Sequence, residues 1–456
     1  MFKMKTIIRS LLVLLLVMSF TSCVRDNISD LPMLNGDMKS YLQVQVTVED
    51  SGYTRTSRAV SGPQGGEDGD GMEPGINHEN EVNSLTILLY NSDNDDLSQD
   101  EATIDYVYTF TGLTASTSSS GGVTYTTGPR EIDPVIVGKN YHVLVIANAG
   151  NMASSCKGET IKKIRDMIMS KVCTRNDDIT KFSDFVMSSK NDAKIDFSGK
   201  SGSGTGTESD PYVVNVDIER LAARIDIIPN ETYDAASNAY YYDVKDGANV
   251  IGGFKLESVT PSKVMTKGEY LIKRVSPNKT LTPITYFGKE VMDATSMAST
   301  NYVVCPWTTD RAGLTLGNAE GPASLYPVKN TTSTSSATAD ASYILDYVME
   351  NTTTDNKEEN STGLIFKGRY YESSEWDATK HRPIASAKGT VKEYTYTIRH
   401  SDPNGTGPST APMYYGIVRN NIYQVKIEGV IGKTKGLMLT IHVRKWATYT
   451  HDETTM

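Results

Sequence analysis

Between Tyr41 and Val48 every second residue is aliphatic. Leu42, Val44, Val46 and Val48 share one side, opposite Tyr41, Gln43, Gln45 and Thr47. A period of two is the signature of a strand with one buried face. Short runs rich in β-branched and aromatic residues, separated by turn residues, predict further strands at 82–90, 105–110, 141–147, 212–228, 254–259, 300–304, 342–349, 363–371, 394–399, 414–430 and 437–444. One segment departs from that period: Ile161, Ile164, Ile168 and Val172 recur at helical spacing and predict a helix over 160–171. Many short strands with one or two short helices predict a mostly β chain, built as two tandem antiparallel β-sandwich domains of the transthyretin-like kind. A Gly/Ser-rich run at 199–209 precedes the second series of strands, which places the domain boundary near Asp217.

The segment ahead of the first strand has a different character. Lys3, Lys5 and Arg9 precede an apolar run at 11–18, and the small residues Thr21 and Ser22 stand before Cys23. This is the ordering of a secretory leader, and the run is too short for a hydrocarbon core that takes about 20 residues. Phe20-Thr21-Ser22-Cys23 resembles the lipobox of bacterial lipoproteins, which implies lipidation of Cys23, with Phe in place of the more usual Leu. The expected organisation is a signal peptide at 1–22, a lipid tether with the first strand at 23–58, and domains at 59–217 and 218–456. Residues 51–75 carry Arg55, Arg58 and an acidic Gly-rich stretch at 65–71. Such a loop buries little and is where proteases cut.

Composition narrows the function. The chain of 456 residues has a net charge of -10 and no basic patch in its mature part, which argues against nucleic acid as a partner. Once Cys23 is set aside, Cys156, Cys173 and Cys305 remain, so at most one disulfide can form. Cys156 and Cys173 flank the predicted helix, and both a bridge and separate buried thiols stay open. The six histidines, at 78, 142, 381, 400, 442 and 451, make no metal-ligand spacing. Gly429, Gly432, Lys433 and Thr434 look like the end of a phosphate loop, but Ile427 stands where its first glycine belongs. Gly202, Gly204 and Gly206 precede no predicted helix, the acidic run at 93–96 lacks a calcium loop's Gly and distal Glu, and no Gly-x-Ser-x-Gly elbow occurs. The expectation is a non-enzyme with no cofactor and no metal.

Several segments resemble the fimbrillin family of Bacteroidetes, the fimbrial subunits also called type V pilins. They are residues 80–90 (NEVNSLTILLY), 141–149 (YHVLVIANA), 218–226 (IERLAARID), 347–352 (YVMENT), 363–370 (GLIFKGRY), 415–423 (YGIVRNNIY) and 443–446 (VRKW). Each alone is weak, and their order across the mature chain makes the set specific. Lys445 departs from the pattern, standing where many members have Pro before the terminal Trp. The resemblance implies a lipoprotein precursor carried to the outer membrane, where an arginine-specific surface protease removes the strand bearing Leu42, Val44, Val46 and Val48. Arg58 before Ala59 is the favoured cut and Arg55 the alternative. Removal would open an apolar groove with bare backbone edges that invites a strand from another chain. The resemblance also puts the donor at the carboxyl-terminal segment, here Trp446 onward with Ala447 and Tyr449, although a frayed polar tail competes with that reading. The implied partners are copies of the chain itself, other fimbrial subunits and a receptor, and the implied role is a shaft subunit serving adhesion and biofilm formation. The alternative is a non-polymerising outer-membrane lipoprotein that binds glycans or other ligands, with Tyr240 to Tyr242, Tyr370-Tyr371 and Tyr414-Tyr415 as candidate platforms. A hydrolase ranks last.

Overall fold

The computed structural model describes residues 39–48, 72–74, 77–91, 101–117, 123–165, 167, 169, 171–174, 182–190, 193–198, 204–231, 233–234, 237, 239–265, 285–286, 289–290, 316–317, 343–351, 361–398, 417, 419–432 and 437–447. In chain order the first strands are β1 (Ser40–Val48), β2 (Met72–Pro74), β3 (Ser84–Tyr90), β4 (Ile104–Thr111), β5 (Thr114–Thr117), β6 (Val123–Thr126), β7 (Arg130–Ile132) and β8 (Asn140–Ala147). Two short helices follow, α1 (Ala153–Cys156) and α2 (Ile161–Arg165). Next come β9 (Met187–Ser189), β10 (Ala193–Asp196), β11 (Tyr212–Arg220), β12 (Ala222–Ile228), β13 (Tyr233–Asp234), β14 (Ala239–Asp246) and β15 (Asn249–Ser262). The rest are β16 (Val264–Met265), β17 (Thr285–Tyr286), β18 (Lys289–Glu290), β19 (Leu316–Gly317), β20 (Tyr343–Met349), β21 (Gly363–Glu372), β22 (Trp376–Asp377), β23 (Arg382–Pro383), β24 (Thr390–Thr397), β25 (Asn421–Ile431) and β26 (Leu437–Ala447).

The fold is mostly β, as the alternation predicts. One sheet runs β4-β3-β8-β9-β11-β1-β6-β5, with β10 on β8 and β7 on β1. A second runs β2-β26-β25-β14-β15-β21-β24, with β12 between β25 and β20 and β13 on β14. The chain changes sheet at Leu221, between β11 and β12. Most neighbours are antiparallel, but β1 with β11, β12 with β25, β14 with β25 and β2 with β26 are parallel. Parallel partners cannot be joined by a hairpin, so these pairs bring together segments remote in sequence. The predicted run 414–430 condenses to β25, and 300–304 lies outside the described residues. The Tyr240-Tyr241-Tyr242 run is strand β14, where no strand was predicted.

The helix differs from its pattern. Ile161 and Ile164 are its buried face and the Thr160 hydroxyl accepts from Lys163 N at 3.2 Å, yet the helix ends at Arg165. Val172, the last residue of the apolar series, is buried in a bend outside the helix, where its carbonyl accepts from Val186 N. Pairing with a distant segment outweighs the weak helix propensity of isoleucine here.

Buried side chains of the first sheet, Leu42 through Ile218, form one core that continues onto Ala222, Ile344, Tyr347, Met349 and Ile422 of the second. The second sheet has its own core around Tyr240, Phe254, Phe366, Tyr423 and Val425.

Candidate functional site: the slot of the first strand

Strand β1 lies in the interior of its sheet, not on an edge. On one side it runs parallel to β11 in unbroken register from Leu42 opposite Tyr212 to Val48 opposite Ile218. On the other it is antiparallel to β6, with Gln45 facing Thr126 and Thr47 facing Thr124, and then to β7, with Leu42 facing Arg130 and Ser40 facing Ile132. Leu42, Val44, Val46 and Val48 are each 0% exposed, while Gln43, Gln45 and Thr47 are half-buried on the other face. Burying four such side chains is worth roughly 1.5 to 3 kcal/mol apiece.

Between β6 and β7 the facing chain carries one extra residue. Three steps along β1, from Gln45 to Leu42, oppose four along its neighbour, from Thr126 to Arg130, the signature of a β-bulge. In the bulge, Thr127 Oγ1 accepts from Val44 N at 2.9 Å and Thr127 N donates to Val44 O at 3.0 Å. The Gln43 side-chain amide donates to Thr127 O at 3.0 Å. Farther along, the Thr47 and Thr124 hydroxyls are 3.2 Å apart, and Tyr41 N donates to Gly206 O at 2.8 Å. The slot is thus a trough of four apolar pockets with backbone partners on both walls.

The terminal strand β26 is held on two sides. Its Lys445 faces Asn421 of β25, and Trp446 and Ala447 face Glu73 and Pro74 of β2. Trp446 and Ala447 are therefore part of an intramolecular sheet. Cys23, Arg55, Arg58, Ala59 and Tyr449 lie outside the described residues.

Residues 56–220 match the family described as major fimbrial subunit protein (FimA). Over this stretch, about a third of its length, the chain is similar to that family. The match ends at Arg220, the last residue of β11, and leaves β1 outside it. No curated protein matches the chain. Among solved structures the chain is similar to a candidate cell adhesion protein from Parabacteroides distasonis, at 15% identity and TM-score 0.47 over 91% of this chain and 99% of that one. It is also similar to a fimbrilin (FimA) from Porphyromonas gingivalis W83, at 13% identity and TM-score 0.40 over 90% and 99% of the two chains. A third is the tip fimbrial protein Mfa3 from Porphyromonas gingivalis, at 13% identity and TM-score 0.39 over 90% and 100%.

The first sheet is joined to the second by a buried polar network to which the sequence alone assigned no role. Arg224 on β12 makes a two-pronged contact with Asp226, at 2.9 and 2.8 Å, and reaches Glu79, just ahead of β3, at 3.1 Å. The Tyr347 hydroxyl donates to the same Glu79 carboxylate. Arg220 on β11 donates to Glu79 O at 2.8 Å, to Asn420 beside β25 at 3.0 Å, and to Asn80. Glu79, Arg220, Arg224 and Asp226 are all fully buried. Burial works against the Arg224 charge, but Asp226 and Glu79 more than restore it and hold its pKa above the ordinary value. Burial pushes the Tyr347 hydroxyl well up, and Glu79 adds to that. The sequence signal was available: two arginines and an aspartate interrupt the apolar run around Leu221-Ala222-Ala223, a place where charge survives only when paired.

Two open questions from the sequence are answered by burial. Tyr240, Tyr242, Tyr370 and Tyr371 are packed inside the protein and present no platform to a glycan, whereas Tyr241 is half-buried beside Trp376; Tyr414 and Tyr415 lie outside the described residues. Cys156 and Cys173 are both buried and do not bond to each other. Burial, reinforced by Glu159, raises the Cys156 thiol to about 11. Iodoacetamide at neutral pH is therefore expected to leave Cys156 unlabelled until denaturant is added; mass-spectrometric detection of prompt labelling in the folded protein would contradict this.

Proposed function

We propose that the protein is a shaft subunit of a cell-surface fimbria. In this reading it is exported as a lipoprotein through Cys23 and matured at the outer membrane by an arginine-specific protease that cuts after Arg58, or after Arg55. Release of β1 then frees its slot for a strand donated by the next subunit. The observation that carries the reading is the interior position of β1: its loss bares Leu42, Val44, Val46 and Val48's pockets together with the backbone edges of β11, β6 and β7. Such a trough favours strand addition from another chain, and donation from a different surface builds an open filament. The start of the family match at residue 56 supports treating β1 as separable. Residues 59–217 and 218–456 are then the two domains, and the change of sheet at Leu221 supports a boundary close by.

The donor is the carboxyl-terminal segment containing Trp446, Ala447 and Tyr449. Leu437, Leu439, Ile441 and Val443 repeat the spacing of Leu42, Val44, Val46 and Val48, whereas residues 448–456 hold no such series. Donation thus requires β26 to peel away from β25 and β2. Treating the purified precursor with an arginine-specific protease is expected to yield ladders that resist mild denaturant, with Ala59 as the new amino terminus. Complete excision of β1 without any oligomer would sink the proposal. The adhesion receptor would be met by the assembled fimbria, with other fimbrial subunits at its ends.

A further inference from the structure

Alternation alone leaves the register of a strand in the β1 slot half-determined. A slip of one residue turns the aliphatic side chains outward and is excluded by their burial, but a slip of two keeps them inward. The β11 wall does little to exclude the second slip, because its ladder is continuous and uniform from Leu42 to Val48. The Lys39 to Glu131 ion pair at the mouth, 2.9 Å long, is exposed, and such pairs contribute little. The discontinuity in the slot is the bulge at Thr127, where a buried side chain and its own backbone engage two successive residues of β1, Val44 twice and Gln43 once.

We propose that Thr127 is the register-determining residue of the slot, fixing which residue of the occupying strand stands at the position of Val44. Its hydroxyl takes the Val44 amide, its amide gives to the Val44 carbonyl, and its carbonyl takes the Gln43 side chain. A strand slipped by two would place Leu42 or Val46 at the clamp, and the extra residue of the bulge would then face a stretch of β1 that is out of step with β6 and β7. The clamp also sets chemistry for an occupant: a free N–H at the clamped position, hence no proline, and a side-chain donor such as an amide one residue earlier. For β1 itself these demands are met by Val44 and Gln43. For a strand donated by a second copy the inference rests on the strand-exchange reading.

Cysteine pairs in the intact precursor test it. Thr47→Cys with Thr124→Cys reports the native register, and Gln45→Cys with Thr124→Cys reports the slip of two. The native background is expected to crosslink the first pair almost exclusively. Thr127→Val keeps the shape and loses the acceptor, and should raise the slipped-to-native crosslink ratio roughly fivefold, within the range a single hydrogen bond contributes. Thr127→Ser should return the ratio to the native level, an effect that loss of packing alone would not produce. If Thr127→Val does not fold, Gln43→Met removes only the bond to the Thr127 carbonyl and should raise the ratio about twofold. An unchanged ratio in the folded variants overturns the proposal. Because crosslinking is read within one chain, its failure leaves strand exchange standing; failure of polymers to form with the ratio shifted as expected would count against exchange and not against the clamp.

Discussion

A Val46→Asp precursor should form polymers without any protease. Val46 sits at 0% exposure in the middle of the aliphatic row, facing Val216 on β11 and Tyr125 on β6. The substitution removes roughly 1.5 to 3 kcal/mol of apolar burial and asks an ionised carboxylate to enter a dry pocket, which costs several kcal/mol more when no cation is there to pair with it. The rest of β1 cannot hold the strand in place against that sum. The slot is then vacant while β1 is still attached, which is the state that proteolysis is proposed to create. Hydrogen exchange should show β1 amides losing more than about a hundredfold of protection, since each 1.4 kcal/mol is a factor of ten. Denaturant-resistant ladders should appear in untreated protein. A variant with β1 released and no oligomer would show that vacancy of the slot is not what drives assembly.

Replacing Arg224 by methionine should destabilise the fold by about 3 to 5 kcal/mol, the range found when one member of a buried ion pair is removed and its partner is left charged. Methionine fills much of the same volume, so the loss would be electrostatic. Glu79 and Asp226 are both fully buried and both depend on this guanidinium, and Glu79 in turn holds the Tyr347 hydroxyl. Urea unfolding should show a lower midpoint with an unchanged slope. Tyr347→Phe, which removes one neutral donor and keeps the ring against Phe182 and Phe185, should cost roughly 1 to 3 kcal/mol. Equal losses for the two variants would mean that the charge on Arg224 is not the member that matters. Because Arg220 and Arg224 lie on successive strands of different sheets, the network also ties the first sheet to the second.

The family resemblance and the local strands were legible in the amino-acid order for a simple reason. A strand with one buried face must alternate, so the row from Leu42 to Val48 announced both an element and the side that is covered, whereas 82–90, 141–147 and 437–444 were readable as short β-branched and aliphatic runs between turn residues. The helix is shorter than its pattern because apolar spacing cannot tell a helical turn from a non-helical segment bonded elsewhere, as at Val172. Arg220, Arg224 and Asp226 stood out as charges in an apolar run, but the part of Glu79 was hidden because its pairing joins residues more than a hundred positions apart.

A mostly β chain, a first strand with one apolar face and motifs without a catalytic or metal-binding constellation can all be read from the order of residues. Local rules suffice for those, since period and motif spacing depend on near neighbours along the chain. It took the folded arrangement to show that β1 is an interior strand with β11 and the β6–β7 ribbon as its walls, that a one-residue bulge at Thr127 breaks the uniformity of its slot, and that the terminal strand is held by β2 and β25. Which segments become neighbours is settled by burying all the apolar faces and satisfying the buried charges at once, a condition on the whole chain that no single stretch contains.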